Sequence, residues 1–178
     1  MIELIKKKKG LFYKSIFMLG LFLIIWEVKI YRLTIIDFII PLLIILVTGF
    51  LTTPFALKDF QELFQYSNKY SLYFWTFLQS TVSWGFTLCS LLMFSNYYLA
   101  SSDVRTKIYN IVERSSLAGG KYHRDKSKPT FIIDYNGNPK QLVFSNKYYD
   151  DMNNYKNVEL KVKEGLLGFD ILIEQKLK

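Results

Sequence analysis

One cysteine, Cys89, and one histidine, His123, are the whole thiol and imidazole content of this 178-residue chain. A single thiol excludes an intramolecular disulfide and any cysteine-based zinc motif, and a single imidazole excludes a paired-histidine metalloprotease face and every multi-histidine metal site. Cys89 falls in the most apolar stretch and is expected as a small buried hydrophobe. His123 stands beside Arg124 and Lys126, which disfavour its protonated form, and reads as a solvated loop residue. Carboxylates are sparse as well: only 5 of the 15 precede residue 101.

These shortages exclude chemistry class by class. Asp150 and Asp151, with Asn153 and Asn154, make an oxygen-rich patch, but the alternating ligands, central glycine and terminal glutamate of a calcium loop are missing. Gly119-Gly120 is not followed by Lys-Ser or Lys-Thr, so there is no Walker-type phosphate loop. A lone loop histidine among cations has no orienting carboxylate, so no Ser/His/Asp set is supported. The expectation is no catalytic residue, no metal site, no cofactor and no enzymatic activity.

What the chain has is apolar surface. Hydrophobic residues make up 51% and aromatics 17%, and the mean hydropathy of +0.13 is intermediate because the apolar residues are concentrated between positions 11 and 100. That composition excludes a disordered chain, and the length excludes a large multidomain enzyme.

Residues 11–28 follow the run Lys6, Lys7, Lys8, Lys9 and are long enough to cross about 30 Å of hydrocarbon. No small-x-small cleavage site follows Trp26, so this reads as an uncleaved anchor rather than a signal peptide. A second span covers 33–51, with Asp37 near its start and Pro41 and Gly49 tolerated as they are in membrane helices. Charges at Lys58, Asp59 and Glu62 then point to a separate interfacial helix over 54–67. Residues 72–99 carry no formal charge and form a third span with aromatic anchors at both ends. Its Gln79, Ser80, Thr81, Ser83, Thr87, Ser90 and Ser95, with Gly85, mark it as a helix-packing surface, within the chain or between copies. Asp37 and Gln79 are the intramembrane polar candidates, since a carboxylate at membrane depth is a functional-site hypothesis by default.

At Ala100 the composition changes: residues 101–178 hold 14 of the 23 Lys+Arg. Alternation predicts strands at 107–113, 130–135, 141–145, 157–163 and 169–176, with a connection across Asn136, Gly137, Asn138 and Pro139 and a turn at Gly165 and Gly168. The expected fold is therefore three transmembrane helices followed by a small antiparallel β domain of about five strands, an SH3-like or OB-like meander or barrel. The arrangement resembles that of many small bacterial membrane proteins, a likeness too general to carry an activity.

The longest irregular stretch, 115–129, holds Lys121, Tyr122, His123, Arg124, Lys126 and Lys128. These form the candidate binding cluster, suited to lipid headgroups or an acidic partner. The net charge of +8 does not signal nucleic acid, because the soluble part keeps only +4 and the N-terminal lysines are explained by membrane orientation. The positive-inside rule puts the N-terminus in the cytoplasm and, after three spans, the β domain outside the plasma (inner) membrane. The expected partners are membrane lipids and either a protein or a second copy through the third span. The functional expectation is a non-enzymatic accessory or binding protein, with a subunit of an oligomeric channel or transporter as the alternative.

Overall fold

The computed structural model describes residues 2–118 and 127–178, which divide into two compact units on either side of Ala100. The first is built from three helices, α1 (Ile2–Leu33), α2 (Ile39–Leu63) and α3 (Lys69–Tyr98), each long and apolar enough to cross a membrane.

α1 runs 32 residues without proline, about 48 Å at 1.5 Å per residue. It stops where the Thr34 hydroxyl donates back to the Ile30 carbonyl at 2.9 Å. Asp37 then accepts from the Ile39 N–H at 2.9 Å and starts α2. α2 passes straight through Pro54. The segment expected as a separate interfacial helix over 54–67 is thus the last turns of α2 and the link after it. Proline at that point costs one backbone bond, which a helix already held by neighbours tolerates. Asn68 caps α3 by accepting from the Ser71 N–H at 2.8 Å, and Thr81–Gly85 forms one π-helical turn inside that helix.

The helices interlock at glycines. A Cβ on Gly49 would stand 2.9 Å from the Thr81 Cα, one on Gly85 would stand 2.6 Å from the Ile45 carbonyl oxygen, and one on Gly20 would collide with the Val82 carbonyl. Gly49 against Thr81, Ile45 against Gly85 and the Pro41 carbonyl 3.8 Å from the Cys89 thiol descend one turn at a time, so α2 lies antiparallel to α3. α1 lies parallel to α3, with Tyr13, Gly20 and Glu27 meeting Gln79, Val82 and Ser90 in succession.

The second unit is a curled antiparallel sheet of β1 (Val104–Leu117), β2 (Lys128–Tyr135), β3 (Asn138–Val143), β4 (Asn157–Glu164) and β5 (Asp170–Leu177), in the order β3-β2-β1-β4-β5. The strands therefore do not follow chain order as a simple meander would. Central β1 is shared: Val104–Asn110 pairs with β4 and Ile111–Leu117 with β2, with a bulge between Ile111 and Glu113 where the strand bends. Asn136 and Gly137 both have positive φ, 54° and 87°, the two-residue hairpin geometry that favours Asn-Gly. Phe131, Ile133, Tyr135, Leu142, Phe144, Val158, Leu160, Val162 and Ile171 form the core. The curl brings the two edges within reach, since the Gln175 amide donates to the Val143 carbonyl at 2.8 Å.

Candidate functional site

The helical unit buries polar groups beside a small apolar cluster and leaves much of its large apolar surface outside. Glu27, Thr34, Thr53, Thr76, Ser80, Thr81, Ser83, Ser90 and Asn96 are buried, whereas Leu43, Val47, Phe50, Leu51 and Phe55 are exposed. A polar interior of this kind must satisfy its own hydrogen bonds. Thr53 and Thr76 do so by donating to the carbonyls of Gly49 and Leu72, four residues back on their own helix. The Thr81 hydroxyl, among the described residues, has no such partner; its neighbour is the Gly49 backbone, where Cα–H groups act as weak donors.

The most demanding group is Glu27, only 5% exposed. Its carboxylate accepts from the Ser90 hydroxyl at 2.7 Å and from the Cys89 thiol at 3.0 Å. Among the described residues no cation lies within 4 Å of it. Ile30, Cys89 and Met93 form an apolar cluster with Ile44, Ile45 and Phe94 at the same level.

At the lysine-rich end, Lys9 binds Asp59 at 2.6 Å and Glu62 at 3.6 Å, and the Tyr13 hydroxyl donates to Asp59 at 2.9 Å. Gln79 donates to the Tyr13 carbonyl at 2.9 Å and to the Ser83 hydroxyl at 3.0 Å. Gln79 is thus a tie between α1 and α3. Asp37 is exposed and accepts from the Ile39 N–H at the start of α2; it does not meet Gln79 or Glu27 in one site.

In the sheet unit, the Tyr135 hydroxyl donates to Asp170, and the Lys107 ammonium donates to Tyr135 at 3.3 Å and to Asp170 at 3.4 Å. Burial first, and then the bond to Asp170, holds the Tyr135 phenol well above its ordinary value. Lys140, opposite Ile133, is held below the usual lysine value by burial. The outer face of β1 is different. Val104, Ile108 and Val112 are 53%, 58% and 67% exposed, while the intervening Lys107, Tyr109 and Ile111 turn inward. β4 and β5 beside it carry the ion pairs Lys161–Glu174 at 2.7 Å and Lys178–Glu159.

Of the sequence-derived binding cluster, Lys121, Tyr122, His123, Arg124 and Lys126 lie outside the described residues. Lys128 is exposed at the first position of β2, opposite Leu117. Glu27 was missed because an acid after an apolar run reads as the end of a span. The signal was present in the heptad spacing of Tyr13, Gly20, Glu27 and Thr34, which puts one polar or small residue on the same helix face every two turns. Compared with known proteins, the chain matches no family model, no curated protein and no solved structure, so its own residues carry the functional reading.

Proposed function

We propose that the chain is an integral membrane protein of the non-enzymatic accessory or binding type. In this reading the helical unit crosses the plasma (inner) membrane three times and the β unit offers a contact surface to a protein partner. The burial pattern carries the membrane part: apolar side chains outward, hydroxyls and a carboxylate inward, is the arrangement that hydrocarbon solvent favours. Lys6 to Lys9 and Lys14 assign the N-terminus to the cytoplasm and three crossings assign the β unit to the outside, against the smaller opposing set Arg105, Lys107 and Arg114.

The contact surface is the stripe Val104, Ile108 and Val112, which runs along the central strand toward the basic connection 118–127. Exposed apolar residues recurring along one strand face, here with Thr106 and Asn110 between them and charged strands alongside, offer an interaction surface. The channel alternative finds less support, because the hydroxyls of Thr76, Thr87 and Ser95 are turned to their own backbone, a packing role rather than a pathway lining.

A photo-crosslinking residue at Ile108, activated in native membranes, tests the reading. The expected product is a discrete protein adduct that fades when Val104 and Val112 are changed to lysine; a homodimer adduct would identify the partner as a second copy. Adducts to lipid alone, or none, would overturn it.

A further inference from the structure

The β4–β5 turn is apolar, where the turns of a water-facing unit are ordinarily polar. Between Glu164 and Asp170 the chain reads Gly165, Leu166, Leu167, Gly168, Phe169, and Leu166 and Leu167 stand 56% and 45% exposed. The β2–β3 turn, by contrast, is Asn136 and Gly137. Two adjacent leucines projecting from one tight turn make an apolar tip, the kind of surface that meets lipid or protein.

Three observations favour lipid. The turn closes its own backbone: the Gly168 N–H donates to the Gly165 carbonyl at 2.9 Å and the Gly165 N–H to the Phe169 carbonyl at 3.1 Å, so fewer bare polar groups accompany the leucines out of water. The two acids that flank the turn are engaged, Glu164 by Arg105 at 2.7 Å and Asp170 by Lys107 at 3.4 Å and by Tyr135. The turn is also tied to the point where the chain enters the sheet unit. The Ser101 N–H donates to the Glu164 carbonyl at 2.8 Å, and Ser101 is three residues past Tyr98, the end of α3. Three residues of extended chain reach at most about 11 Å. With Tyr97 and Tyr98 at the lipid interface, where aromatic residues end a span, this tether keeps Glu164 and the leucines just beyond it near the leaflet from which α3 emerges.

We propose that the Leu166-Leu167 turn inserts into the interfacial layer of that leaflet, so that the β unit rests on phospholipid at this tip and leaves the Val104, Ile108 and Val112 stripe for its protein partner. The proposal rests on the membrane reading above, and its test separates the two.

Cys89 is fully buried, so one introduced cysteine carries the label. Leu166→Cys and, as control at the far end of β1, Ser116→Cys are labelled with an environment-sensitive nitrobenzoxadiazole dye. Each full chain is reconstituted in phosphatidylcholine vesicles with or without lipid bearing a nitroxide near the headgroup. The label at 166 should emit to the blue of the label at 116 and be quenched by the nitroxide, as for a side chain buried about 5–10 Å into the headgroup boundary; the label at 116 should stay in water. Leu167→Asp in the Leu166→Cys chain should remove both the blue shift and the quenching, with Leu167→Ser as the substitute if that variant does not fold. Blue-shifted emission without quenching would mean that protein, from this chain or a second copy, covers the turn. Aqueous emission, or quenching that survives Leu167→Asp through the dye's own affinity, would mean that the turn stays in solution. Each of these overturns the proposal while Trp26, Trp75 and Trp84 remain quenched by brominated phosphatidylcholine. Tryptophans unquenched in such vesicles overturn the membrane reading itself.

Discussion

The carboxylate of Glu27 accepts a 2.7 Å hydrogen bond from the hydroxyl of Ser90, 63 residues further along the chain. The bond joins α1 to α3 at a level where, among the described residues, no cation lies within 4 Å of Glu27, so the acid leans on Ser90 and Cys89. Ser90→Ala should lower stability by about 1 kcal/mol, within the range measured for hydrogen bonds between membrane helices. The double change Glu27→Leu with Ser90→Ala should cost less than the sum of the single changes, because removing both partners leaves no orphaned acceptor. Unfolding titrations in mixed detergent micelles give the coupling, and additivity would show that the pair is incidental.

The glycine interlock predicts a graded series. Gly85→Ala and Gly49→Ala press a Cβ into backbone of the facing helix, a kind of overpacking that costs about 1–3 kcal/mol. Gly10→Ala meets only the end of the Leu63 side chain at 3.9 Å, and alanine's better helix propensity should make it neutral or stabilising by up to about 1 kcal/mol. Thermal unfolding in one detergent compares them. Equal losses at positions 10, 49 and 85 would mean that the close approach contributes nothing.

These two relationships show what could be read in the residues beforehand. The three apolar runs were plain, since hydropathy alone locates them. The helix ends were not, because Glu27, Lys29 and Arg32 look like a polar link when each residue is weighed singly; only their face on a continuous helix separates the buried acid from its exposed neighbours. In the sheet unit, alternation at Val158, Leu160 and Val162 and a reversal within 136–139 were legible, although Asn138 and Pro139 belong to β3 rather than to the turn. Strand order was not, since nothing local states that β4 returns to the far side of β1. The outward face of Ile108 and Val112 was equally hidden, because an alternating strand does not say which side is covered.

The Tyr135 and Asp170 pair predicts an alkaline loss of stability. Unfolded, a tyrosine ionises near pH 10; folded, Tyr135 is buried and donates to Asp170, so its value is raised. The unfolded chain therefore releases that proton first. The stabilisation is complete below about pH 10 and falls as pH rises beyond it. Tyr135→Phe should cost about 1 kcal/mol at neutral pH and flatten the fall. Melting curves measured from about pH 8 to pH 11 bracket the window. A fall of the same size in the variant would assign the effect to the other tyrosines.

The β2–β3 hairpin predicts a local effect. Gly137 has φ of 87°, and its N–H donates to the Asp134 carboxylate at 2.7 Å. Gly137→Ala keeps that donor but puts a Cβ in left-handed backbone, at a cost of about 1–2 kcal/mol. Hydrogen exchange should quicken in β2 and β3 and stay unchanged in α1 to α3. Protection that drops equally in α1 to α3 would contradict a local effect.

The central claim is that three crossings separate the N-terminal lysines from a β unit displayed outside. It is tested by a cysteine introduced at Ser145, which lies in the link after β3, with the parent chain as control because Cys89 is fully buried. In intact cells or spheroplasts, a membrane-impermeant maleimide should label the Ser145→Cys chain and leave the parent unlabelled. Protection of Ser145→Cys in intact cells, followed by labelling once the membrane is opened, would contradict the account.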